Sequence, residues 1–247
     1  MSNIKQEILV VKSNQKLTDS VYKMTLYGAT TKNIKPGQFI NLKIDGLYLR
    51  RPISVYDISE NEITIIYKVV GRGTELLSSF CEGKEIDTLT ELGNGYDLAL
   101  SGEKPLLLGG GVGVPPLYYL AKELIKKGAR PTVILGFNTA SEVFCREDFE
   151  ALGCETLVTT ADGSEGIKGF VTDAIPSDYS YFYCCGPEPM LKAVYKATKT
   201  GGEFSFEERM GCGFGACMGC SCKTITGYKR ICKDGPVMKK EEILWEG

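Results

Sequence analysis

Four cysteines close to the C-terminus, Cys212, Cys217, Cys220 and Cys232, follow the spacing C-x4-C-x2-C-x11-C, and no other feature restricts the folding of this chain so strongly. A ligand run of this kind obliges its segment to wrap around a metal centre. The spacing is that of a plant-type 2Fe–2S site, where a tight loop supplies three thiolates and a fourth arrives from further on. Gly211, Gly213, Gly215 and Gly219 alternate with the ligands. Lacking Cβ atoms, they let the backbone close around inorganic sulfides and turn N–H groups toward them. Such donors matter because four thiolates and two sulfides leave the site negative even when both irons are ferric. Cys222, two residues after Cys220, could substitute for a ligand, but the pattern does not require it and it reads as a packed thiol.

Two other uses of four cysteines compete with this reading. A structural zinc site ordinarily has two C-x2-C knuckles about fifteen to twenty residues apart, and here there is one such pair. A disulfide framework needs an oxidising compartment, and the opening MSNIKQEILVV has no basic region followed by an apolar one. Ten cysteines in such a chain point to metal or redox use in the cytoplasm. The chain contains no histidine, which excludes Rieske ligation, mixed cysteine–histidine zinc sites, histidine-ligated haem and imidazole-based triads. A net charge of −2 without a basic block gives no footing for nucleic acid or an anionic membrane. No apolar run approaches the roughly twenty residues of a membrane span.

The segments EILVV, SVYKMTLYG, QFINLKI, RPISVYD and EITIIYKVV alternate with period two and are separated by turn signals, which predicts a small antiparallel barrel. A short helix is expected at about Gly73 to Phe80. After LGNGYDLALSGEK, strands PLLLGG, PTVILGF, ETLVTTA and YFYCC alternate with helices PPLYYLAKELIKKG, SEVFCREDFEAL and EPMLKAVYKATKTG. That order implies a doubly wound parallel sheet. EFSFEE alternates again and is expected at a sheet edge. The fold class is therefore β-barrel plus α/β: a barrel over 1–99, a parallel-sheet domain over 100–203, and a small cysteine-rich module over 204–247.

Gly109, Gly110, Gly111 and Gly113 lie between an apolar strand and an amphipathic helix, where glycines let a backbone approach a pyrophosphate and the helix N-terminus meets its charge. Pro115 and Pro116 in the first helical turn cost no hydrogen bond. The bland alternative is a turn that only packs helix on sheet. Arg51, Pro52, Ile53 and Ser54 lie on a barrel strand, where an arginine can fork onto a pyrophosphate, although a surface arginine is commonly just solvated. Gly71-Arg72-Gly73-Thr74 offers a second phosphate cradle or an ordinary helix start. Cys185, Gly186 and Pro187 follow a parallel strand at its C-terminal end, where open α/β sheets bind ligands. The Cys185 thiol could touch a nicotinamide ring or be a buried small hydrophobe. Cations suited to a 2′-phosphate are missing from Asn138 to Ser141, with only Arg146 nearby, which favours NAD over NADP.

Taken in order, R-P-I-S, G-x-G-T, L-G-N-G-Y, G-G-G-V-G-V-P-P-L, C-G-P-x-x-M and the cysteine run resemble the ferredoxin–NADP reductase superfamily. Within it, the chain more closely resembles the electron-transfer subunits of dihydroorotate dehydrogenase B. The resemblance implies an FAD-binding barrel, an NAD(H)-binding sheet and a 2Fe–2S module. It implies that Arg51, Pro52, Ile53 and Ser54 contact the flavin, that Ile66, Tyr67 and Lys68 line its nucleotide, and that Gly73 and Thr74 hold its phosphates. Cys212, Cys217, Cys220 and Cys232 would ligate the cluster. The superfamily usually has an aromatic residue where Ile53 stands, so stacking from that position is lost. The implied partner is an FMN-containing dihydroorotate dehydrogenase catalytic subunit, two of each chain forming a heterotetramer that serves pyrimidine (UMP) biosynthesis. Because a flavin exchanges either one or two electrons, FAD would link the hydride chemistry of NAD to the one-electron cluster. A reductase subunit of a bifurcating ferredoxin reductase or a sulfhydrogenase is the other enzymatic reading, and a zinc-stabilised binding module the non-enzymatic one.

Barrel and cysteine motifs are separate in sequence, so Cys220→Ser is expected to lose the cluster and keep the flavin. Iron, acid-labile sulfide and FAD contents of the purified variant check this.

Overall fold

Period-two alternation in the N-terminal part is realised as six antiparallel strands closed on themselves. In the computed structural model, which describes residues 4–245, these are β1 (Lys5–Lys16), β2 (Val21–Tyr27), β3 (Phe39–Leu42), β4 (Arg51–Ile58), β5 (Glu62–Lys68) and β6 (Glu85–Leu92). Their order around the barrel is β1-β2-β5-β4-β3-β6, with β1 pairing β6 to close it. The inward set includes Leu9, Met24, Leu26, Ile40, Leu42 and Ile63, all 0% exposed. Each contributes roughly 1.5–3 kcal/mol by leaving water. A short helix of about two turns, α1 (Arg72–Ser78), follows β5.

The second part alternates strand and helix: β7 (Leu106–Gly110), α2 (Pro115–Lys126), β8 (Thr132–Phe137), α3 (Arg146–Ala151), β9 (Glu155–Thr160), β10 (Ile167–Lys168), β11 (Phe182–Cys185), α4 (Glu188–Ala197) and β12 (Gly202–Ser205). The sheet order is β10-β9-β8-β7-β11-β12, all parallel, so the chain reverses direction across the sheet between β7 and β11. Both faces are covered, and alternate residues of each strand go to different cores. Leu107, Val133, Leu135 and Tyr183 pack beneath α2 together with barrel residues Val21, Tyr56 and Ile66. Leu106, Leu108, Ile134 and Phe182 pack on the other side with Leu191 and Val194 of α4 and with Cys220 and Cys232.

The cysteine-rich segment contains a hairpin, β13 (Ser221–Thr224) with β14 (Gly227–Arg230), and a last strand, β15 (Val237–Lys239). β15 pairs antiparallel with β12. EFSFEE is consequently not at the sheet edge: all four residues of β12 are buried between β11 and β15. Alternation alone could not reveal that a strand from the cysteine segment would cover it. The expected helix SEVFCREDFEAL is also interrupted. Ala140–Glu142 forms one 3-10 turn, Val143 is extended, and Cys145 has φ 64° before α3 begins. The break drops Phe144 into the core, edge-on to Phe137 with ring centroids 5.3 Å apart.

Asn94, from LGNGY, staples the cysteine segment to the barrel. Its Nδ2 donates to the Val237 carbonyl (2.7 Å), its Oδ1 accepts from the Val237 N–H (2.9 Å), and its own N–H reaches the Gly235 carbonyl (2.6 Å). Glu203 on β12 does similar work for the linker by accepting the Asp97 N–H at 2.9 Å. Glu203 is 4% exposed, and burial pushes its carboxyl from 4.5 up to about 7. A carboxyl with a raised folded-state pKa costs stability as pH climbs from the unfolded value through the folded one. Glu203→Gln keeps an acceptor without the titration. Urea denaturation should find it as stable as the parent at pH 4, and more stable at pH 8 by on the order of 3 kcal/mol.

Candidate functional site

The loop from Gly211 to Cys220 converges on sulfur. Backbone N–H groups of Ala216 (3.2 Å), Phe214 and Cys217 (both 3.5 Å) donate to Cys212 Sγ, and the Cys232 N–H donates to Cys220 Sγ (3.4 Å). A Cβ on Gly211 or Gly219 would stand 3.1 Å or 3.6 Å from Cys217 Sγ, so the chain at both glycines runs beside that thiol. Cys217 lies beside Cys212, and Cys220 beside Cys232. Among the described residues, no three Cys, Asp or Glu side chains converge on a point suited to one ion. Paired thiols fit a centre with two metal atoms better than a single tetrahedral zinc.

Burial pushes the Cys212 thiol up, but the amides of Cys217, Phe214 and Ala216 outweigh it and bring the pKa down to about 6. At neutral pH that group is largely thiolate, the form that binds metal. Cys232 is raised by burial and by Cys220 beside it, so its proton leaves only when a metal replaces it. Cys217 is exposed and Cys220 and Cys232 are buried, which gives the loop a solvent side and a core side. Cys222 lies on β13 and packs against the apolar cluster under the module, its thiol raised by burial.

The barrel residues are arranged less simply than their order implies. Arg50 is committed to structure, its guanidinium bonding the Asp87 carbonyl (2.7 Å) and carboxylate (2.9 Å). Arg51 instead lies against the α1 start, its guanidinium occupying the space a Cβ on Gly73 would need. The Thr74 hydroxyl is already used: it donates to the Gly71 carbonyl (3.0 Å) and accepts from the N–H groups of Val70 (2.9 Å) and Gly71 (3.3 Å). What remains for a phosphate is the Arg51 charge and first-turn amides. Pro52 and Ser54 are half-buried on β4, and Ile53 packs against the barrel core. On β5, Ile66 faces the sheet domain and Lys68 is exposed, whereas Tyr67 points into the barrel and donates to Asn14 Oδ1 (3.0 Å). Tyr67 can offer a ligand only its backbone.

The two loops that the sequence presents separately meet at the reversal between β7 and β11, the position where open α/β sheets form a binding crevice. A Cβ on Gly113 would collide with the Cys185 carbonyl and the Gly186 amide, and one on Gly110 would strike Met190. Those glycines are used for loop-on-loop packing. Gly109 is likewise closed in, by Val114 and Leu117. Gly111, at φ 51°, faces open space. The helix N-terminus differs from expectation: Pro115 and Pro116 lack N–H groups, and the Leu117 N–H bonds the Val114 carbonyl (3.1 Å). The Gly111–Gly113 turn, not α2, is thus the part of this motif that can face a ligand. Cys185 is half-buried beside Gly186, its thiol pushed up to about 12 by burial; Pro187 is exposed. Arg146, the cation nearest Asn138 to Ser141 in sequence, is held by Glu150 (2.8 Å) and Glu165 (3.3 Å).

Sequence reasoning gave no role to Asn41 or Asn94, which tie the cysteine loop to the barrel; a buried polar residue on an otherwise apolar strand is the signal that marks Asn41. For the crevice, Gly111→Ala should cost only about 1 kcal/mol, from the left-handed backbone. Gly113→Ala should cost roughly 1–3 kcal/mol, since two backbones must separate, and should also weaken NADH binding. Thermal denaturation and NADH titration of the two variants separate these effects.

Two family descriptions match the chain: "Iron-sulfur cluster binding domain of dihydroorotate dehydrogenase B" over residues 207–244, and "Oxidoreductase NAD-binding domain" over residues 107–196. The "Dihydroorotate dehydrogenase B (NAD(+)), electron transfer subunit" of Fusobacterium nucleatum is 46% identical, over 97% of this chain and 99% of that protein. Its namesake from Lysinibacillus sphaericus is 44% identical over 97% and 99%. Among solved structures, one of the NADH-dependent reduced ferredoxin-NADP oxidoreductase, studied for flavin-based electron bifurcation, superposes with TM-score 0.88 at 30% identity, covering 96% of this chain and 90% of the other. The chain belongs to the family of dihydroorotate dehydrogenase B electron transfer subunits.

Proposed function

We propose that this protein passes electrons between a partner flavoprotein that oxidises dihydroorotate and NAD+, using a 2Fe–2S cluster and FAD, as a step of pyrimidine biosynthesis. The observation that carries the reading is the cysteine loop itself: paired thiols and amides aimed at Cys212 Sγ, packed directly on the flavin-type barrel. Bound FAD would supply the conversion between hydride and single-electron transfer.

Within this reading, Cys212, Cys217, Cys220 and Cys232 hold the cluster, and the amides of Phe214, Ala216 and Cys217 offset its negative charge. Arg51 and the amides around Gly73 and Thr74 hold the FAD phosphates, with Pro52, Ile53, Ser54, Ile66, Lys68 and the backbone of Tyr67 shaping the rest of that surface. Gly111, flanked by Gly109, Gly110, Gly113, Gly186 and Pro187, admits NAD(H), and Cys185 bounds the nicotinamide end. Residues 1–99, 100–203 and 204–247 serve as FAD, NAD and cluster domains. The partner carries FMN, two copies of each chain assemble, and the complex works in the cytoplasm. None of the described helices is long and apolar enough to cross a membrane.

A bifurcating reductase subunit is the second reading, supported by the 0.88 TM-score. It is disfavoured by the higher identity to dihydroorotate dehydrogenase B subunits and by the neutralised Arg146. The test is anaerobic titration of the purified chain with NADH. Flavin bleaching followed by the EPR signal of a reduced 2Fe–2S cluster is expected, and co-expressed dihydroorotate-oxidising subunit should reduce the same two centres from dihydroorotate. Stoichiometric zinc without flavin would overturn the reading.

A further inference from the structure

Asn41 is an anomaly of the barrel. It lies on β3, where Ile40 and Leu42 point inward and are 0% exposed, so Phe39 and Asn41 point outward. Outward residues of a barrel strand normally meet water, yet Asn41 is 1% exposed. The cysteine loop covers it. Its Nδ2 donates to the Cys212 carbonyl at 3.4 Å, and Gly213 sits so close that a Cβ there would clash with the same nitrogen. Its Oδ1 is buried and meets no donor among the described residues. On the barrel side, the Asn41 carbonyl accepts from Arg50 Nη1 (3.4 Å), and its residue pairs across the ladder with Pro52, next to Arg51.

An unpartnered buried oxygen is costly, and an apolar residue of similar shape would remove that cost. Stability alone therefore favours leucine here. The amide nitrogen offers what leucine cannot, a donor directed at the backbone of the first cysteine in the run. Building on the cofactor reading above, we propose that Asn41 is a positioning residue for electron transfer, holding the Cys212–Gly213 backbone against the flavin strand and so setting the approach of the cluster to the flavin. It touches neither the reacting ring nor the metal; it acts through Cys212.

The experiment uses the full chain co-purified with its dihydroorotate-oxidising partner, as the parent, Asn41→Leu and Asn41→Asp. Both variants keep the branched side-chain skeleton of asparagine and lack the amide donor. Iron and FAD contents, thermal stability, anaerobic stopped-flow reduction by NADH and EPR of the reduced cluster are measured on each. Both variants should bind FAD and be reduced at the flavin as fast as the parent. The following step, cluster reduction, should slow about three- to tenfold, the factor to which one lost neutral hydrogen bond corresponds. The g-values should shift, and Asn41→Leu should be at least as heat-stable as the parent. Iron lost from both variants with FAD retained also supports the proposal, because the loop is then no longer held. Parental cluster-reduction rates and g-values in either iron-loaded variant overturn it. So does joint loss of FAD and iron, which would make Asn41 simply part of the fold. A parent without flavin or iron would instead sink the underlying function, a result separable from any effect at position 41.

Discussion

Burial of strand β3 on both faces is the constraint on which the rest of this structure depends, because it joins a barrel core to a metal-type loop through four residues. Ile40 and Leu42 fill the barrel, while Phe39 packs with Cys220, Ile231 and Cys232, and Asn41 lies beneath Cys212 and Gly213. A strand in this position cannot slip by one residue, since slippage would send asparagine into the barrel and isoleucine under the loop. The register of β3 thus determines where the cysteine loop stands relative to the strand that carries Arg51.

The three parts close into a triangle. β15 and Asn94 fasten the cysteine segment to the sheet and to the barrel. α2 fastens the sheet to the barrel: Tyr118 stacks on Tyr56 at 4.4 Å, Lys122 Nζ reaches Asp57 at 2.7 Å, and the Tyr119 hydroxyl donates to the Ile34 carbonyl at 3.0 Å. Electron transfer between separate centres requires fixed separations, and an arrangement in which every part touches both others supplies them. The buried contacts do most of this. Half-exposed ion pairs such as Lys122–Asp57 add little energy of their own and serve mainly to select one orientation.

Much of this was legible in the residues. Period-two alternation marked the barrel, strand–helix alternation marked the sheet, and the cysteine spacing marked the loop. Gly109, Gly110, Gly111, Gly113 and Gly186 read as positions of ligand approach, but at all of them except Gly111 the space beside the backbone is filled by the protein itself. Other features were illegible because they depend on partners distant in the chain. Thr74 looked like a phosphate ligand and has its hydroxyl in a turn. Tyr67 looked like part of a binding surface and faces the barrel interior. EFSFEE looked like an edge and is covered by a strand about thirty residues further on.

By itself the sequence determined the kinds of chemistry available: thiol ligation without imidazole, phosphate approach at glycines, and a parallel sheet beside a barrel. These follow from residue type and local spacing, which do not change when the chain folds. Only the tertiary structure decided which groups remain free to act. It lowered Cys212 with three amides, bound Arg50 and Arg146 into ion pairs, and placed Asn41 of β3 beneath the cysteine loop. The physical reason is that a donor or a charge is consumed by whichever partner reaches it, and those partners come from far along the chain.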